Sequence, residues 1–101
     1  MRAFVVLTNR AKYDLKEIGR YTQKTWGRDQ RDIYLRMLDL SFHQLTLNPL
    51  MGNDCSEIRS GYLKVNAGSH VIFYRQKLAD LIEIVRILHG RMDIEARLSE
   101  S

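Results

Sequence analysis

Six side chains in the second half of the chain could handle a phosphate: Arg59, His70, Arg75, Arg86, His89 and Arg91. Arginine grips a phosphate through two parallel hydrogen bonds, and histidine moves a proton near neutral pH. A ribonuclease could use such a set, with Arg75, Arg86 and His89 holding the scissile phosphate and shifting its proton. The same side chains can instead pair with Asp80, Glu83, Asp93 or Glu95. Composition favours that pairing, so the residue types by themselves assign no catalytic group.

Most other chemistry is excluded. The sequence has no Gly-rich phosphate loop, no Gly-x-Ser-x-Gly and no His-Glu-x-x-His, and its single cysteine, Cys55, precludes a paired-cysteine motif. His43, His70 and His89 are too far apart for zinc-ligand spacing. Neither a metal nor a cofactor is expected. A lone cysteine also rules out an internal disulfide and fits a reducing, cytoplasmic setting. The net charge of +4 and pI near 9.5 imply attraction to an acidic partner, nucleic acid or protein, without choosing between them.

A second basic feature lies near the N-terminus. Lys12, Lys16, Arg20 and Lys24 recur at four-residue spacing, with Arg28 in line to extend the stripe. On a helix such like-charge pairs cost about 0.2–0.5 kcal/mol each, offset in part by Glu17 with Arg20 and Arg10 with Asp14. The plain reading is a solvated face, its lysine stems covering apolar neighbours. The sharper reading is a docking strip for an acidic segment.

These residues need elements to position them. A chain of 101 residues is one domain, spanning residues 1–101, with one core. No apolar run approaches the ~18 residues of a membrane span, and the run after Met1-Arg2 is too short for a signal peptide. The central stretch is Leu81–His89, dense in Ile and Val and closed by Gly90, which reads as a strand. Residues 3–8 read as a first strand, with Thr8 as N-cap of a helix that buries Ala11, Leu15, Ile18, Thr22 and Trp26 and stops at Gly27. Asp29 caps a second helix with Ile33, Tyr34, Met37, Leu38, Ser41, Phe42 and Leu45 on its inner face, closed by Asn48-Pro49. After a turn-rich stretch from Leu50 to Gly61 come strands at 62–65 and 70–75, joined by a turn in which Gly68 takes positive φ. Asp93 starts a short C-terminal helical turn.

The expected fold class is therefore α+β: an N-terminal strand and an antiparallel helical hairpin packed on an antiparallel sheet, in the order β-α-α-β-β-β. Alternation puts His70, Ile72 and Tyr74 on one sheet face and Val71, Phe73 and Arg75 on the other. In the last strand it groups Ile82, Ile84, Arg86 and Leu88 against Glu83, Val85, Ile87 and His89. Both faces are partly apolar. One must carry the helices, and periodicity does not say which.

Several segments together resemble the ParE toxins of bacterial toxin–antitoxin systems. They are Leu7-Thr8 with Ala11, Asp14-Leu15 and Ile18; Tyr21-Thr22 with Trp26-Gly27; Gln30 with Tyr34; Leu45 with Asn48-Pro49 and Gly52; Ser69 through Arg75; and Ile87-Leu88-His89 with Met92-Asp93. The most specific pieces are His-Val-Ile-Phe-Tyr and Arg-Ile-Leu-His-x-x-Met-Asp. The resemblance implies the RelE/ParE-type fold and growth arrest by inhibition of DNA gyrase, without catalysis. It also implies neutralisation by a ParD-like antitoxin in a hetero-oligomer, with operator DNA contacted only through that antitoxin. Lys12, Lys16, Arg20 and Lys24 then become antitoxin-binding candidates, and Arg59, Arg86, His89 and Arg91 target-binding candidates. The related RelE toxins cut messenger RNA on the ribosome, which keeps a ribonuclease using Arg75, Arg86 and His89 as the alternative.

Overall fold

The computed structural model describes residues 3–90 and Leu98. The elements run β1 (Phe4–Leu7), α1 (Asn9–Trp26), α2 (Arg28–Leu47), β2 (Asn53–Asp54), β3 (Leu63–Ala67), β4 (His70–Leu78) and β5 (Leu81–His89). The strands form one sheet in the order β1-β5-β4-β3-β2, and the α1–α2 hairpin packs on it. The α+β architecture expected from periodicity is borne out. Two details differ. β1 lies parallel to β5, so the sheet is mixed, and the irregular stretch contributes the two-residue strand β2 at the far edge. Parallel neighbours need a long crossover, and here the helical hairpin and three strands separate β1 from β5 in the chain. The expected C-terminal helical turn lies largely outside the described residues.

Local signals explain the helix ends. The Thr8 side chain accepts the Ala11 amide at 3.0 Å, the anticipated N-cap. Gly27, at φ 97°, lets the chain leave α1 and enter α2 within one residue. It also takes the capping position expected for Asp29, which lies inside the first turn of α2 without a cap bond. Ala11, Ile18 and Thr22 are buried as expected; the Thr22 hydroxyl donates to Ile18 O at 2.7 Å. Trp26 and Ile33, assigned to the inner faces, are instead exposed, on either side of the Gly27 turn that closes the hairpin.

The core has two parts, one on each side of the sheet. Between sheet and helices lie Ala11, Ile18, Leu38, Phe42 and Leu45 against Ile72, Tyr74, Ile82, Ile84 and Ile87. On the other side Phe73, Val85 and Leu88 pack with Cys55, Tyr62 and Leu98. The helices thus cover the His70–Ile72–Tyr74 face. The Tyr74 hydroxyl donates to Pro49 O and accepts the Gly52 amide, both at 2.9 Å, and so anchors the chain leaving α2.

The face assignment expected for β5 fails in its second half. Phe73 pairs with Arg86 but Tyr74 pairs with Ile84, leaving Val85 as an inserted residue. One extra residue reverses the phase of alternation. Ile87 therefore joins Ile82 and Ile84 under the helices, whereas Leu88 joins Val85 on the far side.

Because Phe73 is fully buried in the smaller cluster, Phe73→Ala is expected to destabilise the fold by about 3–5 kcal/mol. Urea unfolding followed by circular dichroism measures this, and a loss below about 1 kcal/mol would show that the far-side cluster contributes little.

Candidate functional site

The bulge in β5 places a buried ion pair. β1 ends at Leu7, opposite Ile84, so β5 continues past it with no strand on that side. Residues around α1 take over the exposed backbone. Thr8 N donates to Ile84 O at 3.0 Å and the Thr8 hydroxyl to Val85 O at 2.8 Å. Asp14, one turn into α1, accepts the Ile87 amide at 3.0 Å. The same carboxylate accepts Arg86 Nε at 2.8 Å and a terminal guanidinium nitrogen at 3.1 Å, a two-pronged pairing. Arg86 is only 6% exposed. Buried charges persist where each is hydrogen-bonded to the other, as here.

Arg86 is a target-binding and catalytic candidate of the sequence. Its guanidinium is committed to α1 and sits below the surface. The ribonuclease set is dispersed. Arg75 pairs with Glu83 at 2.8 Å and lines a cleft on the face away from the helices. His89 lines a groove on the helix side. Arg59 lies in the loop after β2, its guanidinium 5.9 Å from the Tyr62 ring centre. Arg91 lies outside the described residues.

The groove runs between the hairpin and the end of β5, with a volume of about 1120 Å³. Its walls include Ile18, Tyr21 and Trp26 of α1, Tyr34 of α2, and His70 and His89 of the sheet. Tyr21 and Trp26 are 66% and 70% exposed, so two large aromatic side chains face solvent at its rim. At its base the Tyr34 hydroxyl lies 2.6 Å from His70 Nδ1 and accepts the Ser69 amide at 2.9 Å. The phenol proton is then available to a neutral imidazole. His89 meets His70 edge to face, with ring centres 5.4 Å apart. Burial lowers the His70 pKa and His89 lowers it further, against a weaker upward pull from Asp14. Gly68 makes room for this contact: it holds φ 59°, and a Cβ there would lie 2.7 Å from the Tyr34 oxygen.

Lys12, Lys16, Arg20 and Lys24 are all exposed along α1. Arg20 pairs with Glu17 at 3.3 Å, as the spacing indicated. Glu17 and Tyr21, each one residue beyond a member of the stripe, line the groove, so the cationic strip borders its aromatic rim. The sequence reading missed this groove. The available signals were Tyr21 and Trp26, aromatics on a helix whose apolar stripe is already filled by smaller side chains. Among the described residues no cluster of histidine, cysteine, aspartate or glutamate could hold a metal, and no helix is long and apolar enough to cross a membrane.

The family model described as the ParE toxin of the type II parDE toxin–antitoxin system matches residues 5–94. The chain belongs to the ParE toxin family. It is 42% identical over 98 residues to Toxin ParE1 of Mycobacterium tuberculosis, covering 97% of this chain and all of that one. It is 38% identical over 92 residues to Toxin ParE1 of Caulobacter vibrioides, covering 91% and 94%. Among solved structures, the chromosomal ParDE system of P. aeruginosa superposes with a TM-score of 0.75 at 17% identity, over 87% of this chain and 96% of that one. That likeness establishes a shared ParE fold, which agrees with the hairpin-on-sheet topology derived above.

His70 sets a pH dependence. The native His70 pKa lies below its ordinary value near 6.5, so below about pH 6.5 the unfolded chain binds a proton that the native chain resists. Stability is expected to fall as pH drops from about 7 through 6.5 and to stop falling from this cause once the native pKa is passed. Chemical denaturation between about pH 7.5 and 5.5 checks it. The loss should shrink in His70→Gln, and an equal loss in both proteins would contradict the assignment.

Proposed function

We propose that this ParE-family toxin arrests growth by inhibiting DNA gyrase as a binding protein without catalysis, and that a ParD-like antitoxin neutralises it. The near full-length likeness to chains named Toxin ParE1 carries this reading. The dispersal of Arg75, Arg86 and His89 supports it over messenger RNA cleavage. General acid–base work on one phosphate requires groups within hydrogen-bond reach of the same atoms. Here one member is buried on Asp14 and the other two line different surface depressions.

The antitoxin would bind along α1. An acidic segment that folds on binding gains charge-assisted contacts from Lys12, Lys16, Arg20 and Lys24, and its apolar side chains enter the groove between Tyr21 and Trp26. Tryptophan and tyrosine at the centre of an interface commonly carry most of its energy, whereas exposed charges mainly steer association.

Purified toxin added to gyrase and relaxed plasmid should abolish supercoiling, and the antitoxin should restore it. Messenger RNA on translating ribosomes should stay intact. Supercoiling that survives a large molar excess of folded toxin would overturn the gyrase reading. For the antitoxin, Trp26→Ala should weaken binding by at least about tenfold. Lys16→Glu with Arg20→Glu should lower affinity and flatten its salt dependence. Affinity unchanged in both variants would place the antitoxin elsewhere.

A further inference from the structure

The sheet face away from the helices is only half covered. The cluster around Phe73 and Leu98 occupies one side. The other side, toward β1, holds an open cleft of about 370 Å³. Arg10 reaches it from the first turn of α1, Arg59 and Ser60 from the loop after β2, Arg75 from β4 and Glu83 from β5. Glu83, the carboxylate in its wall, is already engaged by Arg75 at 2.8 Å and by Lys77 at 3.6 Å. Arg59 is steadied by the Tyr62 ring and by a long 3.4 Å bond to Leu98 O. Among the described residues that line it, cations outnumber anions, and Arg59 and Arg75 are held in place by these contacts.

The strand register adds an apolar shelf. Val6 pairs with Glu83, which pairs with Arg75; one pleat along, Phe4 pairs with Leu81, which pairs with Leu78. Cross-strand partners share a face. Phe4 is 69% exposed and Val6 42%, so an uncovered aromatic ring and a branched aliphatic lie in the rows beside the arginines.

We propose that this cleft binds a nucleic-acid strand, with Arg10, Arg59 and Arg75 on backbone phosphates and Phe4 beneath a base. A guanidinium fork matches phosphate geometry, and an aromatic platform beside a cationic track is the usual means of holding single strands without sequence preference. An acidic peptide would also attract the arginines, but its carboxylates have no use for the exposed π-face of Phe4. Among the described residues no histidine lines the cleft. Glu83 is tied up by Arg75 and Lys77, so the arginines position a strand and leave it uncut. Phosphate contacts carry no sequence information, so operator recognition remains with the antitoxin. This inference concerns the toxin alone and does not depend on gyrase inhibition.

Fluorescence anisotropy of a labelled short oligothymidylate with the full-length protein tests it, with polyglutamate of matched charge and thymidine monophosphate as competitors. The strand should bind with a log–log salt slope near about −2, as three single-strand phosphate contacts require. Arg10→Gln with Arg59→Gln should lower affinity at least tenfold and make the slope shallower. Arg36→Gln, exposed on α2, should change neither. Phe4→Ala should weaken strand binding and leave any polyglutamate binding unaltered. Circular dichroism checks that each variant is folded, and Arg59→Lys, which keeps the charge, should recover part of the loss. Polyglutamate competing as well as the strand would assign the cleft to acidic protein. Thymidine monophosphate competing equally per phosphate would assign it to a free nucleotide. Either result, or affinity unchanged in the arginine variant, overturns the proposal.

Discussion

The carboxylate of Asp14 receives both prongs of Arg86 and the backbone amide of Ile87, and so joins the first helix to the central strand. It does so where the first strand has run out and β5 would otherwise expose an unpaired amide. A buried backbone donor left alone costs about 1–3 kcal/mol, and a buried charge left alone costs more. One side chain answers both demands, and it sits on the same buried helix stripe as Ala11 and Ile18. Hairpin position, bulge and sheet edge are tied to that contact.

Both surfaces take their form from this arrangement. On the helix side, α1 is held over the end of β5, so Tyr21 and Trp26 line the same groove as the histidine pair, with the lysine–arginine strip bordering it. On the far side, the first turn of α1 brings Arg10 around the sheet edge to meet Arg59 and Arg75. A small domain thereby offers two cationic surfaces with different textures, one large with an aromatic rim, the other smaller beside an exposed strand. Neither depression gathers the arginines and histidines that phosphate-cleavage chemistry would require in one place. That fits a protein that grips macromolecules on both sides.

The order of the main elements, the cap of α1 and the grouping of side chains along β4 were legible because each rests on local chemistry. Thr8, Gly27, Pro49 and Gly68 mark boundaries through their own backbone preferences, and His70, Ile72 and Tyr74 alternate without interruption. The second half of β5 was not legible. Nothing in Ile84-Val85-Arg86 announces an inserted residue, which depends on how β4 pairs with it, and the phase error moved Ile87 and Leu88 to the wrong faces. The ion pair left a fainter trace: Asp14 is a charge on an apolar helix stripe and Arg86 a charge in an apolar strand. At a sequence separation of 72, only the folded topology shows that each answers the other. Trp26 was misassigned because helical period specifies an angle and says nothing of what covers that turn.

A double-mutant cycle between Asp14→Ala and Arg86→Ala, read by urea unfolding, probes the ion pair directly. If the pair fastens α1 to β5, each single change leaves a buried group without its partner and costs about 3–5 kcal/mol, and the double change costs at least about 2 kcal/mol less than the sum of the two. Additive losses would show that Asp14 and Arg86 act independently, and would contradict the account in which their contact sets the hairpin on the sheet.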